Sequence, residues 1–311
     1  MAGTAASAQA PCAVVMVRPH RFAPNPQTAA DNAFQQRGDR RNAAQTAAAA
    51  FDEATQAAAT LRAAGVRVHL FDDDGTRDTP DSVFPNNWFS THAGGRVAIY
   101  PMYCANRRRE RRADVIEMLK AEYRVQDVID YSGLEQDDVF LEGTGAMVLD
   151  HLARVAYAAR SRRADAMALE RFCAHFNFEP MLFETAGADG RPVYHTNVLM
   201  CVASEFALVG LDLICEPVRR AQVRSRLEET GREVIALDPR QIAEFAGNAL
   251  ELSGDGGRIL AMSAHGAASL TQGQRRTIER SARIVELSVP TIEMAGGSVR
   301  CMLAGVHLAR R

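Results

Sequence analysis

A cysteine near the end of the chain, Cys301, directly follows the glycine-rich segment GGSVR at 296–300. The two glycines let the backbone turn tightly and approach a ligand closely, which would place the thiol at the mouth of the turn. A thiolate in such a position can act as a nucleophile. A free cysteine is more often a small buried hydrophobic residue, so Cys301 alone does not decide between the two interpretations.

Two other short segments supply the groups that a cysteine nucleophile needs. His195 lies in YHTN at 194–197, and Glu142 lies in LEGTG at 141–145. An imidazole can exchange protons with the reacting groups and a carboxylate can orient it, and such partners are normally distant in sequence. Each residue also has an ordinary structural interpretation, His195 at a strand end and Glu142 in the first turn of a helix. The three residues together favour a catalytic role.

Composition excludes several other classes of protein. The chain has 311 residues, of which 47% are hydrophobic and 24% charged, with 36 basic and 38 acidic side chains. A net charge of -2 gives no support for binding to nucleic acid or to a membrane surface. No apolar run approaches the roughly 20 residues that span a bilayer. The partner that we expect is a small-molecule substrate, and a homo-oligomer remains open.

The six cysteines are dispersed, and no two form a CxxC pair. This pattern argues against a zinc site and against a disulfide framework, so we expect no metal, no cofactor and a reducing, cytoplasmic compartment. The first ten residues have neither the charged start nor the apolar centre of a signal peptide. We therefore predict a loose N-terminus at 1–10 and one catalytic domain at 11–311, although this length also allows two average domains.

The hydrophobic pattern repeats a helix followed by a strand. A buried strand at 13–17 leads into a polar loop at 18–28 that contains three prolines. Five helix-then-strand units follow, predicted at 42–64 and 66–71, 107–123 and 125–130, 161–176 and 179–183, 218–230 and 233–237, and 272–282 and 284–289. Further strands are predicted between the units at 97–100, 147–149, 207–209 and 259–262. A repeat of roughly 50 residues is typical of radial architectures, and a doubly wound α/β sheet is the main competitor.

Several segments, taken in order, resemble the guanidino-group modifying superfamily, which includes arginine deiminases, dimethylarginine hydrolases and glycine amidinotransferases. The matching segments are PDSVF at 80–84, LEGTG, SRR at 161–163, the His195 segment and GGSVRCM at 296–302. Each match is short, but their shared order spans nearly the whole chain. The resemblance implies a five-bladed α/β propeller (pentein) with pseudo-fivefold repeats.

The resemblance also assigns roles to residues of this chain. Cys301 would attack the central carbon of a guanidino or ureido group, His195 would protonate the departing nitrogen and later activate water, and Glu142 would orient the imidazole. Asp81 would lie in the substrate-binding segment, and Arg163 would match an arginine that binds the substrate carboxylate. A thiolate with a general acid suits such a poor electrophile, because one difficult step becomes two easier ones.

Departures from the family pattern bear on the substrate. Deiminases and amidinotransferases hold a guanidinium with two carboxylates, at positions where this chain has Asn86-Asn87 and Asn197. A guanidinium has only donors, whereas a ureido group is neutral and has an oxygen, so asparagines at 87 and 197 suit a ureido group. One alternative is that these asparagines are turn residues. Another is an arginine dihydrolase, because the resemblance implies that dihydrolases of this superfamily also carry asparagine at the guanidino site.

The chain also resembles a hydrolase branch associated with citrulline use, whose RPxxFxxN loop matches 18–25. Dimethylarginine hydrolases have an arginine where this chain has Tyr100, and Arg18 could replace it. Asn25 completes the loop motif as a further candidate substrate contact. The basic run at 107–112 is interpreted as solvated first turns of a helix.

The leading hypothesis is a hydrolase of C–N bonds other than peptide bonds that converts citrulline to ornithine, ammonia and CO2 through a covalent intermediate on Cys301. The alternatives are an arginine deiminase or dihydrolase, a dimethylarginine hydrolase, an amidinotransferase and, last, a non-enzymatic propeller scaffold. Retention of Cys301, His195 and Glu142 together argues against the scaffold.

Replacement Cys301→Ser should abolish turnover and leave the fold intact, because a serine hydroxyl beside an imidazole is far less ionised than a thiol. Ammonia and ornithine release would be measured beside the circular dichroism spectrum of the variant. Near-normal turnover in a folded Cys301→Ser protein would contradict the covalent mechanism.

Overall fold

A computed structural model describes residues 9–35, 41–187 and 190–311 of the chain. The strands are β1 (Ala13–Pro19), β2 (Arg67–Asp73), β3 (Phe89–His92), β4 (Arg96–Ile99), β5 (Asp127–Asp130), β6 (Met147–Asp150), β7 (Val155–Ala159), β8 (Glu179–Phe183), β9 (Met200–Val202), β10 (Phe206–Val209), β11 (Glu233–Ala236), β12 (Leu250–Gly254), β13 (Gly257–Ser263), β14 (Arg283–Leu287) and β15 (Ala304–Gly305).

The α-helices are α1 (Ala43–Ala63), α2 (Ala113–Glu122), α3 (Gly143–Ala146), α4 (Ala166–Phe176), α5 (Thr196–Leu199), α6 (Pro217–Glu228), α7 (Pro239–Ala243), α8 (Ala264–Ser269), α9 (Gln272–Glu279), α10 (Pro290–Glu293) and α11 (Val299–Met302). Short 3-10 helices occur at Pro85–Asn87, Arg107–Glu110, Ser132–Asp137 and Leu211–Leu213. None of the helices in the described ranges is long and apolar enough to cross a membrane.

The strands form five three-stranded sheets with one shared plan. Their strand orders are β15-β1-β2, β3-β4-β5, β6-β7-β8, β9-β10-β11 and β12-β13-β14. In every sheet the middle strand is antiparallel to one neighbour and parallel to the other. One α-helix connects the parallel pair in four sheets, and two short helices, α8 and α9, connect β13 to β14, because parallel strands need a crossover connection. The predicted α/β class and the five helix-then-strand units are confirmed.

Two predicted helices begin later than the sequence pattern suggested. The segment predicted as a helix at 107–123 starts as a 3-10 turn, and α2 begins only at Ala113. The segment predicted at 161–176 becomes helical at Ala166, where the Asp165 side chain accepts hydrogen bonds from two backbone N–H groups of the first turn. The first strands of the sheets, which have two to five residues, were not predicted, except that the pattern at 147–149 indicated β6.

The N-terminal segment is anchored by residue 9. Gln9 and Ala10 are buried, and Gln9 Nε2 donates hydrogen bonds to Leu149 O (3.0 Å) and Val202 O (2.8 Å). The Gln9 side-chain oxygen accepts from the backbone N–H of His151 at 2.8 Å. The predicted loose terminus at 1–10 is therefore wrong for its last two residues, and residues 1–8 lie outside the described ranges.

A buried ion pair joins two neighbouring sheets. Asp150 at the end of β6 binds Arg232, which precedes β11, through contacts of 2.6 and 2.9 Å, and both side chains are fully buried. Arg232 Nε also donates to Ala203 O at 2.6 Å. Removal of one partner from such a pair leaves an uncompensated charge in the interior, which is strongly destabilising.

We predict that Arg232→Met lowers the free energy of unfolding by about 3–5 kcal/mol, because Asp150 is left buried without a cation. The matched control is Arg224→Met, which breaks an exposed pair with Glu228 (2.9 Å) and should cost about 0.5 kcal/mol or less. Urea denaturation would measure both variants. Equal losses in the two would show that the buried pair does not join the sheets as described.

Candidate active site

Five turns, one before the first strand of each sheet, carry the candidate site residues. Glu142 precedes α3 and β6, His195 precedes α5 and β9, and Cys301 lies in α11 before β15. Asn87 ends the 3-10 helix before β3, and Asn248 lies two residues before β12. Because the sheets share one plan, equivalent turns can meet at one end of the fold.

His195 and Glu142 form a buried pair. His195 Nε2 lies 2.8 Å from Glu142 Oε2, and the same oxygen lies 3.5 Å from Arg163 Nε and 3.6 Å from Arg107 Nη1. Burial alone would raise the pKa of Glu142, but the hydrogen bond with His195 and the two guanidinium charges lower it to about 2. Burial lowers the pKa of His195, and Glu142 opposes that shift. The resting pair is therefore a carboxylate beside a neutral imidazole.

The thiol of Cys301 is contacted by two side-chain amides. Asn197 Nδ2 lies 3.2 Å from Cys301 Sγ, and Asn248 Nδ2 lies 3.3 Å from it. Asn248 is itself fixed, since it donates to Asn197 O (2.9 Å) and accepts from the backbone N–H of Arg300 (2.9 Å). Two N–H donors directed at the sulfur would stabilise negative charge on it.

A narrow cavity of about 310 Å³, including its mouth, connects these groups. Its lining includes Asp81, Asn87, Arg107, Arg163, His195 and Cys301. The structure thus brings together the three predicted catalytic residues and several of the predicted substrate contacts.

Asp81 offers an unpaired acceptor in this cavity. Its Oδ2 accepts from Asn25 Nδ2 at 2.8 Å and lies 3.7 Å from Arg107 Nε, whereas Oδ1 is buried without a hydrogen-bond partner in the described residues. Burial raises the pKa of Asp81, and Arg107 opposes the shift. Asn25 does not line the cavity; its amide binds Asp81 and Asn106 (2.8 Å), so it positions Asp81.

The basic run at 107–112 was interpreted as solvated, and this interpretation is wrong for Arg107. Its side chain is buried rather than solvated and binds Glu110 through two contacts of 2.9 Å. With the Asn87 amide oxygen directed at Arg107, that oxygen accepts from Nη1 (3.0 Å) and Nη2 (3.1 Å), and the amide nitrogen donates to Asn86 Oδ1 (3.1 Å). Burial raises the pKa of Glu110 to about 7, against the opposing charge of Arg107. The charge pattern alone does not distinguish Arg107 from its neighbours.

The two arginines predicted to bind the substrate carboxylate have different positions. Arg163 lines the cavity, makes two contacts of 2.9 Å with the Asp31 carboxylate, and has aromatic rings within 5.5 Å of its guanidinium carbon. Arg18 does not line the cavity. Its guanidinium binds Asp72 (2.7 and 3.0 Å) and lies over the ring of Phe51. The proposed replacement of a carboxylate-binding arginine by Arg18 therefore has no support in this geometry.

Both glycines of LEGTG are required by close packing in the site. Gly143 has φ +46°, and a Cβ there would lie 2.5 Å from Asn86 O. At Gly145 a Cβ would lie 2.1 Å from the side-chain amide of Asn87 and 2.9 Å from His195 Nδ1. Any side chain at 145 would push apart two groups that line the cavity.

Asn248 was missed by the sequence analysis, although a signal for it exists. Glu142, His195, Asn248 and Cys301 follow one another at intervals of 53 residues. A search at this period, starting from the three predicted catalytic residues, would have found the second amide that contacts Cys301.

We expect Gly145→Ala to reduce turnover by about a hundredfold, because displacement of His195 by even 1 Å misaligns proton transfer. Gly133→Ala is the matched control, since a Cβ at that position meets nothing within 4 Å and should leave turnover unchanged. Steady-state kinetics and thermal unfolding of both variants would be compared. Wild-type kinetics in Gly145→Ala would mean that the site tolerates a wider spacing than the structure shows.

The sequence profile of the eukaryotic N,N dimethylarginine dimethylhydrolase family matches residues 18–308 of the chain. No curated protein matches the chain by sequence. This family match confirms the predicted superfamily, and with it the class of hydrolases that act on C–N bonds other than peptide bonds.

Solved structures with a similar fold include three that contain a ligand. The N-terminal domain of ArgZ, an arginine dihydrolase of the cyanobacterial ornithine-ammonia cycle, bound to its substrate, is 16% identical with a TM-score of 0.71 over 94% of this chain and 97% of that chain. AgrE with L-arginine is 15% identical with a TM-score of 0.72, and the match covers 96% of this chain but only 40% of AgrE. The dimethylarginine hydrolase of Pseudomonas aeruginosa with citrulline is 13% identical with a TM-score of 0.62, covering 97% and 100%.

At these identities the solved structures show a shared fold alone, whereas the sequence profile covers almost the entire chain. The chain belongs to the N,N dimethylarginine dimethylhydrolase family, within the guanidino-group modifying superfamily.

Proposed function

We propose that the protein hydrolyses the ureido group of citrulline and releases ornithine, ammonia and CO2. The observation that carries this proposal is the environment of Cys301 Sγ, which two neutral amides contact through Asn197 Nδ2 (3.2 Å) and Asn248 Nδ2 (3.3 Å). The arginine-directed deiminases that the chain resembles have a carboxylate at the position of Asn197.

An amide at position 197 suits a ureido group for a specific reason. Asn197 Oδ1 is buried and has no hydrogen-bond partner in the described residues, while Nδ2 donates toward Cys301. The free oxygen can accept an N–H of the substrate, and the amide N–H groups can meet its oxygen. A guanidinium would satisfy the acceptor but would have no oxygen for the donors.

Arg107 adds an electrostatic argument for a neutral reacting group. Its buried guanidinium lines the cavity, and its contacts with Glu110 and Asn87 fix its position. Burial would lower the pKa of Arg107, but the charges of Glu110, Asp81 and Glu142 hold it well above its usual value, so Arg107 stays a cation. A guanidinium substrate would bring a second cation close to Arg107, whereas a ureido group would not.

The reaction follows from the pair of His195 and Glu142 and from the two amides that contact Cys301. The neutral imidazole of His195 takes the proton of the Cys301 thiol through Nδ1, since Nε2 is bound to Glu142. The thiolate attacks the ureido carbon, the C–N bond to the side chain breaks, and the imidazolium returns the proton to the departing ornithine nitrogen. This leaves an S-carbamoyl group on Cys301. His195 then deprotonates water, which attacks that group, and the resulting carbamic acid gives ammonia and CO2.

A second candidate, an arginine dihydrolase, has one observation in its favour. Asp81 lines the cavity with an unpaired carboxylate oxygen, which could accept an N–H from a guanidinium. The structures of ArgZ and AgrE with a similar fold are of arginine-binding proteins. Citrulline and arginine therefore have to be compared in the same experiment.

We also propose that the five sheets are the blades of a closed propeller and that the enzyme works in the cytosol. Support for closure comes from the pairing of β15, near the end of the chain, with β1 in the first sheet. Support for the cytosol comes from the six cysteines, all of which are free thiols.

Replacement Asn197→Asp should reduce kcat/KM for citrulline by roughly ten- to a hundredfold, because a carboxylate beside the ureido oxygen leaves an acceptor unsatisfied. Arginine should lose less or gain, since its guanidinium would meet a carboxylate. Ammonia and ornithine release would be measured with citrulline, arginine and dimethylarginine offered separately.

Asn87→Asp is the control for this change of specificity. The oxygen of Asn87 faces Arg107, so a carboxylate there would pair with Arg107 rather than meet the ureido group, and the ratio of citrulline to arginine efficiency should shift less than in Asn197→Asp. An unchanged ratio in Asn197→Asp would show that the Asn197 amide does not recognise the ureido group. Wild-type turnover of arginine without turnover of citrulline would replace the leading proposal by the second candidate.

A further inference from the structure

A buried carboxylate outside the catalytic cavity starts the turn that leads to Cys301. Glu293 ends α10, is 3% exposed and does not line the cavity. Its Oε1 accepts a hydrogen bond from Ser298 Oγ at 2.7 Å, and its Oε2 lies 2.7 Å from Nδ1 of His265, whose side chain is 57% exposed. Within the described ranges no Lys or Arg nitrogen lies within 4 Å of either oxygen. A buried carboxylate needs such partners, so these two contacts hold Glu293 in place.

Ser298 connects Glu293 to the helix that contains Cys301. It is fully buried and directly precedes α11, and its backbone oxygen accepts from the N–H groups of Cys301 (3.0 Å) and Met302 (3.3 Å). Its hydroxyl, on the other side of the residue, donates to Glu293. The position of Ser298 therefore sets where α11 begins, and with it where the thiol of Cys301 lies.

The turn from Glu293 to Ser298 also forms part of the wall of the catalytic cavity. Gly297 belongs to the cavity lining, and a Cβ there would lie 3.3 Å from Cys301 Cβ. Gly296 has φ +84°, and its N–H donates to Glu293 O at 2.8 Å. Glu293 thus closes the turn twice, through its backbone oxygen and through its carboxylate. A turn that is fixed in this way supports the residue that follows it.

We propose that Glu293 is a positioning residue for Cys301. Its carboxylate holds Ser298 so that the sulfur of Cys301 stays within reach of two amides. The Nδ2 atoms of Asn197 and Asn248 lie 3.2 and 3.3 Å from that sulfur, so a shift of roughly 1 Å can lengthen both contacts beyond hydrogen-bond distance. This inference rests on the proposed function, because it assigns a support to the proposed nucleophile.

Ser298→Ala removes the hydroxyl that Glu293 binds and keeps the backbone oxygen that begins α11. We expect kcat to fall by about tenfold while KM stays within about a factor of two, because the proposed substrate contacts lie on other turns. Ser204→Ala is the matched control, since Ser204 Oγ donates to the buried carboxylate of Glu251 at 2.6 Å and neither residue lines the catalytic cavity. It should lose a similar amount of thermal stability and keep the wild-type kcat.

Two variants of Glu293 test the same hydrogen bond from its other end. Glu293→Gln keeps an oxygen for Ser298 and should retain kcat within about threefold of the wild type. Glu293→Met has a similar length without that oxygen and should lose as much as Ser298→Ala, so the test stands if one of these two proteins does not fold. An equal kcat in Ser298→Ala and Ser204→Ala would overturn the proposal. A loss in Glu293→Gln as large as in Glu293→Met would also overturn it, because charge rather than the hydrogen bond would then matter.

Crystal structures of Ser298→Ala and Ser204→Ala test the geometry without any activity. The distances from Cys301 Sγ to the two amide nitrogens should lengthen by roughly 0.5 Å or more in the first variant and stay unchanged in the second. Unchanged distances in Ser298→Ala would overturn the proposal. If the wild-type protein turned over none of citrulline, arginine and dimethylarginine while these distances lengthened as expected, the proposed function would fail and the positioning of the thiol by Glu293 would stand.

Discussion

The carboxylate of Glu142 lies in the protein interior with no exposed surface, and the site is built around its charge. One of its oxygens is shared among an imidazole and two guanidinium groups, at 2.8, 3.5 and 3.6 Å. A buried carboxylate is stable only when it is paired in this way. The two arginines then need partners of their own, which are Asp31 for Arg163 and Glu110 for Arg107.

This chain of compensating charges explains why distant loops meet. The segments that contain Asp31, Asp81, Arg107 and Arg163 have no regular hydrogen-bonded ladder with one another, yet each contributes one member of the network. Loss of one member leaves another buried charge unpaired, so the network fixes how these loops lie relative to one another. Asn25 extends the network through a neutral amide, which fixes Asp81 without adding charge.

The sequence predicts those features that depend on long or distinctive patterns. Helix-then-strand periodicity predicted the five units, and the short segments around Cys301, His195 and Glu142 predicted three residues that the structure brings together. Strands as short as β9 and β15 cannot show an alternating pattern, so the first strand of most sheets was missed. Arg107 was assigned to solvent because a run of arginines usually is solvated, and only tertiary pairing with Glu110 and Asp81 shows otherwise.

The residues that the resemblance suggested lie at different distances from the cavity. Asp81, Asn87 and Arg163 line it and Asn197 contacts Cys301, whereas Arg18 lies near the end of β1 and binds the neighbouring Asp72. Asn248 belongs to no motif that the analysis used. Its position follows from the repeat of 53 residues, which the fold makes meaningful because equivalent turns face one another.

The first sheet takes its third strand from the other end of the described chain, since Val14 pairs with Gly305 and Val15 with Ala304. Such pairing has a high contact order and makes closure a late event in folding. The turn that carries Cys301 immediately precedes β15, so the thiol is fixed in place by the same event that completes the sheet. During synthesis the other four turns of the candidate site can form first. The Cys301 thiol therefore takes its place last, and a partly folded chain would hold the pair of His195 and Glu142 without it.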